Sequence, residues 1–282
     1  GENLRLQYRY LDLRRAQVRD KVLGRIHFTR CMRNALEAEK FLDVETPVLY
    51  KSTPEGAREF LVPSRNQPGN FYALPQSPQL FKQVLMIAGF DRYYQVVKCF
   101  RDEDLRADRQ PEFTQIDCEM SFCDQEVIMQ TFEKVIKRGV SEYLNIDMPE
   151  PFQRITYKDA MEFYGLDKPD LRFDLKIQDV SSLVKNSPFK VFSDAVQLEG
   201  IVNALVVKGV GEKFSRKDID GMTDLIKNHG LKGLAWIKKN PGTGVASWQS
   251  SFAKFFTDDT AEALEKHINL QAGDLALFGA GP

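Results

Sequence analysis

The chain has 282 residues, of which 43% are hydrophobic and 11% aromatic, so it is long enough for two domains with buried cores. Its 39 basic and 40 acidic residues give a net charge of −1, which excludes a globally basic nucleic-acid binder and leaves only local patches for such a partner. No apolar run is long enough to cross a membrane, and the charged start lacks the apolar stretch of a secretory signal. We therefore expect a cytoplasmic protein with no membrane partner.

One local basic patch lies at the start of the chain. It consists of Arg5, Arg9, Arg14, Arg15 and Arg19. The patch is a candidate contact for RNA phosphates, but Glu2, Asp12 and Asp20 offer ion-pair partners, and we favour that second interpretation.

The cysteines and histidines form no metal-binding pattern. Cys31, Cys99, Cys118 and Cys123 lack CxxC spacing, and the three histidines are scattered. We expect free thiols in a reducing compartment and no metal site built by this chain.

The first elements alternate between helical and strand patterns. Apolar residues at a spacing near 3.6 predict a helix over residues 16–38, and residues 41–47 predict a strand that Pro47 ends. Two short strand patterns around a polar loop predict a hairpin over residues 58–63 and 71–74.

Two further helices and a strand follow. Ser77 as N-cap and Pro78 as the first helical residue predict a helix that Gly89 ends. Residues 92–100 predict a strand, and residues 124–144 predict a long helix. The side chains expected to point inward from that helix are Val127, Ile128, Phe132, Val135 and Ile136.

The stretch after Arg109 has the period of a second strand. Alternation puts a distinctive set of side chains on one face, namely Phe113, Gln115, Asp117 and Glu119. An aromatic ring, an amide and two carboxylates make an unusual core but a suitable floor for an active site. The alternative is an ordinary antiparallel hairpin with a solvated charged turn.

The residues around the turn are typical of nucleotide binding. The group Phe100-Arg101-Asp102-Glu103 is followed by Arg109-x-x-x-Phe113-x-x-x-Asp117. Arginine offers a planar charged fork for phosphate oxygens, the Phe113 ring offers a surface for a purine, and Glu103 offers an acceptor for an exocyclic amine.

The pattern of predicted helices and strands changes in the second half of the chain. Asp167-Lys168-Pro169-Asp170 breaks the pattern, so we place a domain boundary after residue 170. Before it, a capping box from Thr156 to Asp159 predicts a helix ending at Gly165. After it, a small α+β unit is predicted, with strands at residues 189–192, 201–207 and 234–238 and helices at residues 216–229 and 260–268.

Several stretches resemble class II aminoacyl-tRNA synthetases, and bacterial aspartyl-tRNA synthetases in particular. Residues 40–47 (KFLDVETP) are similar to motif 1, although the family usually has glycine in place of Lys40. Residues 100–117 resemble motif 2 at each defining position. Residues 76–82 (QSPQLFK) resemble the amino-acid pocket of the aspartate enzymes, and residues 52–57 (STPEGA) resemble the loop that closes it.

The resemblance implies a class II α+β fold, in which helices flank an antiparallel sheet. Residues 1–170 would form part of the catalytic domain. Residues 171–282 would form the inserted α+β domain of the bacterial enzymes, a relative of which occurs in the B subunit of tRNA-dependent amidotransferases. Motif 3 and the anticodon-binding barrel do not appear in the sequence, so we expect an incomplete sheet and an internal fragment that is inactive alone.

The resemblance further implies a reaction and its partners. L-aspartate is activated with ATP and Mg²⁺ to aspartyl-adenylate and transferred to the 3′ end of tRNA(Asp), with tRNA(Asn) as a further acceptor, by a homodimer. The implied aspartate-binding residues are Glu55, Ser77, Gln79, Lys82, Arg101 and Asp117. The implied ATP-binding residues are Arg101, Asp102, Glu103, Arg109, Gln110 and Phe113. Arg101 is the implied catalytic residue, and Arg106, in the loop over residues 104–108, is implied to approach the tRNA acceptor end.

Other interpretations stay open at this point. Taken singly, Lys82 reads as a solvated helix lysine, Phe113 as a core residue and Arg106 as part of a solvated turn. The alternative functions are a class II ligase for asparagine or lysine, and a non-catalytic tRNA-binding or dimerisation module.

Overall fold

The computed structural model describes residues 1–104, 106–149 and 151–281. The chain divides into two compact units, Gly1–Phe152 and Gln153–Pro282, which we call unit 1 and unit 2.

Unit 1 begins with three helices, α1 (Glu2–Gln7), α2 (Arg9–Asp12) and α3 (Ala16–Ala38). The buried carboxylate of Asp12 accepts hydrogen bonds from Arg5, Arg9 and Arg15 over 3.0, 2.6 and 3.1 Å. For these three arginines the ion-pair interpretation is confirmed. Helix α3 has the predicted bounds.

The remaining elements of unit 1 build a small sheet and two more helices. They are β1 (Leu42–Asp43), β2 (Leu61–Pro63), β3 (Phe71–Ala73), α4 (Gln79–Ile87), β4 (Arg92–Phe100), β5 (Glu112–Met120) and α5 (Gln125–Leu144). Strand β4 is central, parallel to β1 and antiparallel to β5, while β2 and β3 form a separate antiparallel hairpin.

Strand β1 is much shorter than the predicted strand over residues 41–47. The Val44 N–H still donates to the Tyr94 carbonyl over 3.2 Å. Two residues later the buried Thr46 hydroxyl donates to the Gln95 side chain over 2.9 Å. Side-chain bonding therefore replaces the strand ladder before Pro47 is reached.

Helices α3 and α5 cover one face of the sheet. The buried side chains of this core are Met32, Ala35, Leu36, Phe41, Tyr94 and Val135. A Cβ on Gly139 of α5 would lie 2.4 Å from the Met32 sulfur, so glycine permits this close helix contact. The prediction that Val127, Ile128 and Ile136 point inward is wrong, because α5 turns Thr131, Val135 and Gly139 inward instead.

Unit 2 is a five-stranded antiparallel sheet with helices. Its elements are α6 (Tyr157–Tyr164), β6 (Ile177–Asp179), α7 (Ser181–Val184), α8 (Lys190–Gln197), β7 (Ile201–Val207), α9 (Arg216–Lys227), β8 (Ala235–Lys239), β9 (Trp248–Gln249), α10 (Asp258–His267) and β10 (Leu275–Gly281). The strand order is β6-β7-β10-β8-β9.

The core of unit 2 is rich in aromatic rings. Phe189 stacks on Phe252 with 5.2 Å between the ring centroids and meets Phe192 edge-on at 4.8 Å. The predicted strand over residues 189–192 is wrong, because these residues enter helix α8. Phe189 and Phe192 are three apart, a spacing that shares one face of a helix.

The boundary between the units lies 18 residues before the position predicted from sequence, after Phe152 rather than after residue 170. Helix α6 belongs to unit 2 because its C-terminal end meets the strand that follows. Lys176 lies 5.5 Å over the Phe163 ring, and a Cβ on Gly165 would contact Ile177.

Within the described ranges, no helix is both long and apolar enough to cross a membrane.

Candidate active site

The floor of the candidate site is the antiparallel pair β4–β5. Gln95 pairs with Asp117, and Cys99 pairs with Phe113. Directly opposed residues of an antiparallel pair project from the same face. Phe113, Gln115, Asp117 and Glu119 therefore share one face, as the alternation in the sequence predicts.

Helix α4 places Lys82 over this face. Its Nζ lies 2.9 Å from Asp117 Oδ1 and 3.2 Å from Glu119 Oε2. The side chains of Lys82 and Asp117 are only 10% and 11% exposed. Burial alone lowers the pKa of Lys82, but the hydrogen bonds and charges of the two carboxylates outweigh it and raise that pKa. Lys82 is therefore a fixed, buried cation and not a solvated helix lysine.

The start of α4 differs from the prediction in a way that matters for the site. Pro78, and not Ser77, occupies the N-cap position. The Ser77 hydroxyl instead donates to Glu55 Oε2 over 3.0 Å. The expectation that the Ser77 hydroxyl caps α4 is therefore wrong, and the role of Ser77 at the substrate stays a prediction.

Two buried polar atoms in this region have no hydrogen-bond partner among the described residues: Arg101 Nε and Asp117 Oδ2. Buried polar groups are almost always paired, because an unpaired donor or acceptor costs about 1–3 kcal/mol. One atom is a cationic donor and the other an anionic acceptor. They match a ligand that carries a carboxylate or phosphate together with an ammonium group.

A cavity of about 310 Å³ opens beside Arg101, within the size range of small-molecule sites. Its lining residues are Arg101, Glu103, Asp104, Asp108, Arg109, Gln110, Pro111 and Phe113. The Arg101 guanidinium lies 5.1 Å from the centre of the Phe113 ring. Arg109 Nη1 lies 3.6 Å from Glu103 Oε2 across the half-exposed rim.

The structure thus gathers most of the predicted site residues in two neighbouring groups. Ser77 bonds Glu55, Lys82 bonds Asp117, and five of the six predicted nucleotide residues line the cavity. Gln79 is half-buried at the first position of α4, one turn before Lys82.

Two predicted residues lie apart from these groups. Asp102 is exposed and does not line the cavity; its backbone N–H donates to the Arg58 carbonyl over 2.9 Å. Arg106 is exposed in the loop over residues 104–108, of which Leu105 lies outside the described residues.

The two cysteines near the site are poor nucleophiles. All four cysteines of the chain are free thiols. Burial raises the pKa of Cys99 to about 11 and that of Cys118 to about 12. Both stay protonated at neutral pH, so thiolate chemistry is excluded for them.

The structure gives contacts to two residues that the sequence placed near the site without an individual role. Glu119, which the strand alternation puts on the site face, pairs with Lys82 over 3.2 Å. Gln76 is buried and bonds the backbone of the loop that carries Glu55. Gln76 opens the segment 76–82 that resembles the amino-acid pocket, but no pattern in the sequence indicated its bonds to Ala57.

No group of three or more His, Cys, Asp or Glu side chains that could hold a metal ion occurs in the described part of the chain.

Comparison with known proteins gives a consistent picture. A family model described as tRNA synthetases class II (D, K and N) matches residues 1–279. The chain is 57% identical over 281 residues to an aspartate–tRNA(Asp/Asn) ligase of Desulfatibacillum aliphaticivorans, covering 99% of this chain and 46% of that protein. It is 53% identical over 279 residues to an aspartate–tRNA ligase of Staphylococcus carnosus, covering 99% and 47%.

A third relative is an aspartate–tRNA(Asp/Asn) ligase of Thermodesulfovibrio yellowstonii, 54% identical over 280 residues, with 99% of this chain and 46% of that protein covered. The chain spans about half the length of these relatives. A solved structure attributed to an aspartyl-tRNA synthetase of Leishmania major Friedlin aligns with 57% of this chain and 33% of its own at 24% identity and a TM-score of 0.42, a likeness too weak to define the fold.

Proposed function

The chain belongs to the class II tRNA synthetases, whose family model matches residues 1–279, and from that premise we propose that it forms the amino-acid-binding and ATP-binding part of an aspartate–tRNA ligase. Family membership also agrees with the predicted α+β class II fold. The single observation that carries the proposal is the pair of unpartnered buried atoms, Arg101 Nε and Asp117 Oδ2.

The amino-acid side of the site suits aspartate. We propose that Asp117 Oδ2, with Ser77 and Gln79, receives the substrate ammonium while Oδ1 keeps its bond to Lys82. Lys82 faces the side-chain carboxylate of the substrate, and Glu55 closes the pocket from its loop. Beyond its contacts with Asp117 and Glu119, the Lys82 ammonium has a third N–H, and this charged donor bonds a carboxylate more strongly than a neutral amide and offers no acceptor to another cation.

The nucleotide side of the site suits ATP. In the proposal Phe113 stacks with adenine, Glu103 accepts from the adenine amine, and Arg109 exchanges Glu103 for the terminal phosphates. Such an exchange is easy because half-exposed ion pairs contribute only about 0–1 kcal/mol. Gln110 and Asp102 assist at the nucleotide, Gln110 from the cavity lining and Asp102 from outside it.

The proposed chemistry has two steps. The α-carboxylate of aspartate attacks the α-phosphorus of ATP, which forms aspartyl-adenylate and releases pyrophosphate. The 3′-hydroxyl of the tRNA then attacks the mixed anhydride and releases AMP. Arg101 bridges the reacting carboxylate and phosphate, so the protein contributes positioning and charge stabilisation instead of acid–base catalysis.

Magnesium and the macromolecular partners are parts of the same proposal. Mg²⁺ accompanies the ATP phosphates, as in phosphoryl transfer generally. The tRNA partner is tRNA(Asp), with tRNA(Asn) as a second acceptor, and Arg106 approaches its 3′ end. A homodimer fits the exposed apolar side chains on α3, in β1 and after β1, which are Val22, Leu23, Ile26, Leu42, Val48 and Leu49. The proposed compartment is the cytoplasm.

The test is amino-acid-dependent exchange of labelled pyrophosphate into ATP, run on this chain and on a protein of the relatives' full length. Aspartate should support exchange by the longer protein, while asparagine and lysine should not. Exchange that depends on asparagine or lysine would refute the aspartate assignment. Absence of exchange with all three would favour a non-catalytic module.

A further inference from the structure

The loop that carries Glu55 is anchored at both ends by backbone hydrogen bonds and held between them by side chains. On one side, the backbones of Tyr50 and Ala73 bond to each other over 2.8 and 3.4 Å. On the other side, the Arg58 carbonyl accepts from the Asp102 N–H over 2.9 Å. Residues 51–57 lie between these two anchors.

Gln76 makes the main attachment within this segment. Its Oε1 accepts from the Ala57 N–H over 2.9 Å, and its Nε2 donates to the Ala57 carbonyl over 2.9 Å. The side-chain amide thereby bonds both polar groups of one residue, as a neighbouring strand would do. Gln76 is 2% exposed, so water does not compete for these bonds.

A second attachment holds the tip of the loop. Glu59 Oε1 accepts from the Thr53 N–H over 2.9 Å and from its hydroxyl over 3.3 Å. Burial raises the pKa of Glu59, but hydrogen bonds from Ser52, Thr53 and Gln76 lower it further than burial raises it. The Glu59 carboxylate is therefore ionised at neutral pH.

We infer that Gln76 is a positioning residue, which sets the place of Glu55 against the amino-acid pocket by fixing Ala57. Gln76 precedes Ser77 directly, and Ser77 donates to Glu55 over 3.0 Å. Two successive residues thus hold one loop at two points, Gln76 through the backbone and Ser77 through the carboxylate. The inference rests on the proposed function, in which Glu55 closes over bound aspartate.

The experiment compares Gln76→Met with Tyr94→Phe in the full 282-residue chain. Methionine keeps the approximate length of glutamine and removes the amide. Tyr94→Phe removes one buried hydrogen bond, from the Tyr94 hydroxyl to Glu37 over 3.0 Å, on the opposite face of β4. It is the control for a general loss of stability.

Three quantities are measured: amide hydrogen exchange of residues 51–57, affinity for L-aspartate and affinity for ATP. Gln76→Met should speed exchange in the loop and weaken aspartate binding about tenfold, as the loss of one to two net hydrogen bonds implies, with ATP affinity unchanged. Tyr94→Phe should change none of the three. Equal loss of both affinities in Gln76→Met, or unchanged exchange and unchanged aspartate affinity, would overturn the inference.

The unaltered chain supplies an independent check. The Ala57 N–H should exchange more slowly than an exposed amide, and exchange at the exposed rate would overturn the inference without any variant. If the unaltered chain binds no aspartate, the proposed function fails, and loop exchange in Gln76→Met alone decides whether Gln76 anchors the loop.

Discussion

Each unit of the molecule buries a lysine against a carboxylate, but the two pairs are completed differently. In unit 2, Lys239 Nζ lies 2.6 Å from Glu265 Oε1 and also donates to the Gly242 carbonyl and the Ser247 hydroxyl. Glu265 Oε1 accepts in addition from Trp248 Nε1 over 2.5 Å. In unit 1, Lys82 has two carboxylate partners, yet Asp117 Oδ2 has none among the described residues.

On the proposed function, the difference separates a polar network that serves the fold from one that serves a ligand. A buried ion pair by itself is weak evidence for either role. The unit 2 network is supplied entirely by the chain, through loop carbonyls, a hydroxyl and an indole. In unit 1, Asp117 Oδ2 of the network and the nearby Arg101 Nε have no partner in the described part of the chain, and these two atoms carry the functional proposal.

The largest expected effect comes from breaking the unit 2 pair. Lys239→Met leaves Glu265 buried without its cation, so it should reduce the free energy of unfolding of unit 2 by about 3–5 kcal/mol. Affinity for aspartate should not change. Chemical denaturation followed by hydrogen exchange in β7 and β10 gives the stability, and calorimetry gives the affinity. A stable variant would mean that the network is not structural.

The next largest effect is expected on aspartate affinity when Asp117, the carboxylate that pairs with Lys82 in unit 1, is replaced. Asp117→Asn keeps the size of the side chain and leaves Glu119 to pair with Lys82, so stability should fall only slightly. Aspartate affinity should fall about 100-fold, equivalent to about 3 kcal/mol, because the acceptor for the ammonium loses its charge. Titration calorimetry measures this, and an unchanged affinity would exclude Asp117 from the binding site.

A smaller effect on stability is expected from relieving backbone strain at two residues that lie outside the buried ion pairs. Lys40 and Glu199 each follow a helix with positive φ, of 65° and 61°. Glycine adopts this conformation without the steric penalty, so Lys40→Gly and Glu199→Gly should each raise the free energy of unfolding by about 0.5–1 kcal/mol. Neither variant should alter ligand affinity, and a destabilised glycine variant would show that the lysine or glutamate makes contacts that compensate for the strain.

The smallest effect appears only in acid. Burial raises the pKa of Asp274, but hydrogen bonds from the Gln271 and Gly209 N–H groups and from Lys208 outweigh it and lower that pKa. The stabilisation is therefore present above the unfolded pKa of about 4 and is lost as pH falls through the folded value. Urea unfolding of unit 2 between pH 3 and 6 should show this loss. The free energy of unfolding should fall with decreasing pH with a slope that corresponds to the uptake of about one proton. Asp274→Asn should flatten the acid limb, and an equally steep limb in that variant would assign it to other groups.

The sequence predicted those elements whose periodicity extended over several turns or pleats. Helix α3 and strands β4 and β7 have the predicted bounds, because their patterns run long enough to separate a period of 3.6 from a period of 2. The segment over residues 189–192 is too short to distinguish the helical period from the strand period. The charged Asp-Lys-Pro-Asp segment led us to predict the domain boundary after residue 170, whereas the contacts of α6 place it after Phe152.

For the candidate site, the sequence indicated which residues to consider but not the contacts that those residues make. Spacing and resemblance selected Lys82, Arg101, Phe113 and Asp117, which the fold brings to one region. The partner of the Ser77 hydroxyl and the loop attachment by Gln76 depend on chain segments about 20 residues away, in irregular loops that no local pattern describes. The functional roles of all these residues remain predictions.

The most direct test of the central claim is a calorimetric titration of the chain with L-aspartate, succinate and β-alanine. Succinate lacks the ammonium group proposed to reach Asp117 Oδ2, and β-alanine lacks the α-carboxylate proposed to reach Arg101. We predict that aspartate binds and that each analogue binds at least about tenfold more weakly, because one buried polar atom stays unpaired in each case. Binding of succinate or β-alanine as tightly as aspartate would contradict the account.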